Sequence, residues 1–60
     1  MTELVRTMRI GETVWEKGLK WIRNNNGWLA SDGRMMYSFN RDEQLVSRTD
    51  MPRLDVVPVH

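Results

Sequence analysis

Apolar and polar positions along the chain divide it into three patterned stretches. The first covers residues 12–25, where a wheel of about 100° per residue gathers Val14, Trp15, Gly18, Leu19, Trp21 and Ile22 on an arc of about 160°. Glu12, Thr13, Glu16, Lys17, Lys20 and Arg23 take the opposite arc. This pattern predicts an amphipathic helix with acidic residues early and basic residues late, as the helix dipole prefers, stopped by Asn24, Asn25, Asn26 and Gly27. A rival reading makes Lys17-Gly18 a tight turn between strands at 13–16 and 19–23. It relieves the cost of a mid-helix glycine, about 1 kcal/mol. It ranks second because it puts Trp15, Leu19 and Trp21 on one face and leaves Val14 and Ile22 on another with no second core to receive them.

The second stretch is a hairpin. Trp28, Leu29, Ala30 and Ser31 precede Asp32-Gly33, and Arg34 through Phe39 follow, so a type I′ turn between two apolar runs is expected. In the third, Asn40 is placed to cap a short helix over 41–47, with Glu43 at the capping-box position and Leu45 and Val46 turned inward. Residues 4–10 read as either a strand or a short helix. Two prolines, Pro52 and Pro58, make 50–60 an extended tail behind a single domain at 1–49, with Leu54 to Val59 β-prone enough to add to a sheet edge. The expected fold is therefore α+β: one main amphipathic helix on an antiparallel hairpin or three-stranded sheet, a short second helix and a tail.

Composition narrows the chemistry. Sixty residues without cysteine form one small core with neither disulfides nor thiolate metal sites, and oligomerisation is one remedy for so small a core. The missing cysteine suits the cytoplasm, and neither a signal peptide nor a membrane-spanning run is visible. The lone histidine, His60, supports no catalytic triad or zinc site, and the dispersed glycines form no phosphate loop. No catalytic residue, metal ligand or cofactor is expected, and the chain reads as a non-enzymatic binder. Its formal charge is only +1, with seven basic against four acidic residues in 1–41 and two against four in 42–60.

Two surfaces present themselves. Lys17, Lys20 and Arg23 on the helix, with Asn24 at its end and Arg34 beside the hairpin turn, form a set suited to phosphate and base contacts. Glu12-Thr13-Val14, the step Trp21-Ile22-Arg23, and Asp32-Gly33-Arg34 followed by Tyr37 and Phe39 resemble small phage excisionases and MerR-like winged-helix regulators over about residues 11–46. That resemblance implies a winged helix that bends double-stranded DNA by cooperative binding, with Lys17, Lys20, Arg23 and Arg34 as reading residues. The alternative is a small phage-type protein that binds and modulates a host protein through Trp28, Met35, Met36 and Tyr37. Neighbouring strand residues face opposite sides, so one methionine of the Met35-Met36 pair must leave the core. Trp15 and Trp21 are assigned to the core, and Trp28 is expected to be partly exposed.

Overall fold

In the computed structural model, residues 1–50 are described and form one short helix and one sheet. Helix α1 spans Glu3–Arg6, and strands β1 Thr13–Glu16, β2 Leu19–Asn24, β3 Gly27–Ser31, β4 Met35–Asn40 and β5 Leu45–Asp50 follow. The five strands lie in chain order, each antiparallel to the next. This is a β-meander, and it overturns the expected winged helix. The only helix among the described residues is the four-residue α1, too short to serve as a reading helix.

Residues 12–25 hold the largest correction. They form a hairpin because Lys17 and Gly18 adopt φ of +54° and +76°, the paired left-handed conformation of a type I′ turn. Thr13, Val14, Trp15, Trp21 and Ile22 are all strand formers, and a paired sheet satisfies their backbone better than an isolated helix interrupted by glycine. The helical arc was an accident of spacing: a two-residue turn pairs residues whose numbers differ in parity, which a wheel cannot reveal. Thus Val14 lies opposite Trp21, and Trp15 opposite Lys20. Val14, Leu19 and Trp21 share one face while Trp15 and Ile22 share the other, correcting the face assignment of the rival strand reading as well.

The helix expected at 41–47 is also absent. Asn40 does act as a cap, but of a turn: its side-chain oxygen accepts from the backbone N–H groups of Asp42 and Gln44, both at 2.9 Å. Glu43 then takes φ +65°, and Leu45 enters β5 across a bulge opposite Ser38 and Phe39. The expected hairpin forms as β3 and β4, with Ser31 and Met36 as the last paired residues and four residues, Asp32 to Met35, joining them in place of a two-residue turn. Asp32 shapes that loop by accepting from the N–H groups of Arg34 and Met35 at 2.8 Å each. The undecided stretch at 4–10 begins as α1, N-capped by Thr2, whose hydroxyl accepts from the Val5 N–H at 3.4 Å. The expected tail beyond Asp50 lies outside the described residues.

The core lies on one side of the sheet, under the N-terminal segment. Val5 and Met8 pack on Trp21, Trp28 and Ala30, and all five are buried. Met1, Val14, Leu19, Tyr37 and Phe39 surround them. Trp28 is the anchor: its indole N–H donates to the Val5 carbonyl at 2.8 Å, joining the sheet to α1. The Trp21 and Phe39 rings meet at 5.6 Å between centroids, tilted by 35°. Arg6 clamps α1 to the β4–β5 turn by donating twice to the Glu43 carboxylate, at 2.7 and 2.9 Å. A second tie runs from the Thr2 hydroxyl to the Glu16 carboxylate.

Candidate interaction surface

Directly opposed residues of an antiparallel sheet share a face, so the registers assign both faces. The face under α1 carries Val14, Leu19, Trp21, Arg23, Trp28, Ala30, Tyr37 and Phe39. The second face is built from two cross-strand rows. One runs Trp15, Lys20, Ser31, Met36, Thr49; the other runs Thr13, Ile22, Leu29, Ser38, Ser47. None of these ten side chains is buried, and Trp15 is 72% exposed. Ile22 and Leu29 sit side by side at the centre, with Trp15 and Met36 diagonal to them. Lys20 is the one charged side chain in the two rows.

An apolar tetrad on an otherwise hydroxyl-bearing face costs solubility unless something covers it. Trp15 alone presents most of an indole to water, and covering such a ring is favourable by roughly 25 cal/mol per Å² of apolar surface removed. The hydroxyls of Thr13, Ser38, Ser47 and Thr49 around the tetrad offer donors and acceptors without the desolvation penalty of charge. The chemistry is that of a contact surface.

The residues expected to read DNA are dispersed by the meander. Lys17 lies in the β1–β2 turn and Arg34 in the β3–β4 loop, at the same end of the sheet, while Lys20 is on the second face. Glu16, Asp32 and Asp50 occupy that end too, so it has no net positive charge. Arg23 is engaged on the core face: its guanidinium lies 4.5 Å over the Trp28 ring and donates to the Gly27 carbonyl at 2.8 Å and to the Asn24 carbonyl. The Asn24 side chain accepts from the Asn26 N–H at 2.8 Å, holding the β2–β3 turn. Arg23 and Asn24 therefore have structural duties.

Of the residues considered for a protein partner, Met36 stands on the second face. Met35 and Tyr37 face the α1 side, and Trp28 is 4% exposed, opposite to the expectation for it. Sequence reasoning missed Trp15, Ile22 and Leu29 as surface residues. The signal was present in Lys17-Gly18, which read as a turn moves Trp15 off the core face.

A cleft of about 290 Å³ is lined by Met1, Thr2, Glu16, Lys17 and Trp21, but Thr2 already engages its carboxylate. Among the described residues, no three His, Cys, Asp or Glu side chains gather to hold a metal ion, and no helix is long and apolar enough to cross a membrane. Comparison with protein-family models, curated proteins and solved structures finds no match to this chain.

Proposed function

We propose that this chain is a non-catalytic protein-interaction domain that binds a partner protein through the face of its sheet that the described residues leave uncovered, in keeping with a phage-type modulator of a host protein. The observation that carries the reading is the exposure of Trp15 on the same face as Ile22, Leu29 and Met36. Tryptophan anchors are over-represented among residues that dominate binding energy, and methionine adapts its shape to a partner. A cytoplasmic setting fits a domain without cysteine. Double-stranded DNA is the weaker partner, because the basic residues are spread over both faces and one end and two of the five reading candidates serve the fold.

The test is affinity capture from host lysate with the intact chain and with a Trp15→Ser/Met36→Ser variant, followed by titration of the purified captured protein. The reading expects a partner held by the parent and bound at least about tenfold more weakly by the variant, a loss of about 1.4 kcal/mol. A variant that binds equally well would remove the face from consideration. Salt-sensitive binding to a labelled duplex, abolished by neutralising Lys17, Lys20 and Arg34, would return DNA to first place.

A further inference from the structure

We propose that two copies of this chain join through β5, edge to edge and antiparallel, into one continuous sheet about a two-fold axis through Thr49. Strand β5 closes the strand order, so its outer side has no partner strand among the described residues, and all six of its residues are exposed. Soluble proteins usually blunt such edges with proline, a bulge, a very short strand or charged side chains. Residues 47–50 carry no proline or glycine, and the bulge of β5 lies before them. What they carry is one charge of each sign, Arg48 and Asp50. Neither makes an ion pair among the described residues.

Symmetry then selects the register. A two-fold axis normal to a sheet keeps side chains on their own face, so directly opposed residues must have the same parity and the axis must pass through a residue position. Centred on Arg48, the pairing would set two guanidinium groups directly opposite one another, which is unfavourable. Centred on Ser47, it would run into the bulge within two residues. Centred on Thr49, it places Arg48 against Asp50 of the second copy and Asp50 against Arg48 of the second copy, around a threonine pair. Opposite charges and paired threonines both favour cross-strand contact. The row Trp15, Lys20, Ser31, Met36, Thr49 would then run on into its symmetry mate, and the two uncovered faces would form one bivalent surface. The pairing does not depend on the proposed partner-binding role of that surface.

Sedimentation equilibrium of the full chain from micromolar to millimolar concentration tests the pairing, with amide exchange followed in parallel. The expected result is a mass rising from one chain to two, with slowed exchange along β5. Arg48→Asp should weaken association by about tenfold or more, and Arg48→Asp/Asp50→Arg should restore it to within about threefold of the parent. Mass of a single chain at every concentration would overturn the proposal, as would a dimer indifferent to both variants. A single chain whose β5 amides exchange slowly would likewise overturn it, by showing that residues of the same chain cover the edge.

Discussion

At Gly27 the backbone of β3 passes so close to β4 that a side chain cannot enter. A Cβ there would lie 2.0 Å from the Phe39 carbonyl oxygen and 2.7 Å from the Asn40 carbonyl carbon, and its φ of +145° is one that residues with a Cβ rarely adopt. Gly27→Ala should therefore cost more than about 3 kcal/mol or prevent folding, measured by urea denaturation. Trp28→Phe keeps most of the ring volume but removes the indole donor to the Val5 carbonyl, which then keeps the Met8 N–H at 3.2 Å. A loss of about 0.5–1.5 kcal/mol is expected for the hydrogen bond. Trp15→Ser should change stability by no more than about 0.5 kcal/mol, because its ring stands in water. The contrast between Trp28 and Trp15 was not legible from composition, since both are tryptophans in apolar surroundings. Strand parity and one hydrogen bond to α1 separate them, and both depend on contacts distant in sequence.

Among the elements, α1 is too short to persist alone, and its place is held by contacts to the sheet. The Arg6 guanidinium holds the Glu43 carboxyl below the usual carboxylate range, first by hydrogen bonding and then by charge. Backbone N–H groups of Met35 and Arg34 do the same for Asp32. A carboxyl whose pKa is lower in the folded chain than in the unfolded one contributes stability that is complete above the unfolded pKa. That contribution is lost as pH falls through the folded value. Stability should thus be level around neutrality with respect to these groups and decline below the ordinary carboxylate range. Asp32→Asn and Glu43→Gln should each flatten that decline, followed by thermal denaturation across acidic pH. Local chemistry was legible here: Asp32-Gly33 marked a hairpin and Asn40 a cap. The main hairpin at 13–24 reads as a helix because the wheel gathers Val14, Trp15, Leu19, Trp21 and Ile22 on one arc, whereas the hairpin divides them, with Val14, Leu19 and Trp21 on one face and Trp15 and Ile22 on the other. Only pairing with β3, which the local pattern does not contain, decides between them. The same shortfall hid β5, whose residues follow a convincing capping signal.

At the scale of the molecule, a single sheet has two faces and the described residues cover one. The N-terminal ten residues supply the cover, and the remaining face leaves Trp15 exposed and Ile22, Leu29 and Met36 half-buried. The proposed binding role rests on that asymmetry, and the proposed pairing through β5 extends the open face without closing it. The basic residues, by contrast, are divided among a turn, a loop and both faces, so the candidate DNA site read from the sequence required a helix that the chain does not form.

The most direct test of this asymmetry is 19F NMR of the chain labelled with 5-fluorotryptophan, comparing resonance positions in H2O and D2O and assigning each through Trp15→Phe, Trp21→Phe and Trp28→Phe. The fold described predicts a large solvent isotope shift for Trp15 and small shifts for Trp21 and Trp28. A large shift for Trp28 with a small one for Trp15 would contradict it, because the core would then lie on the other side of the sheet.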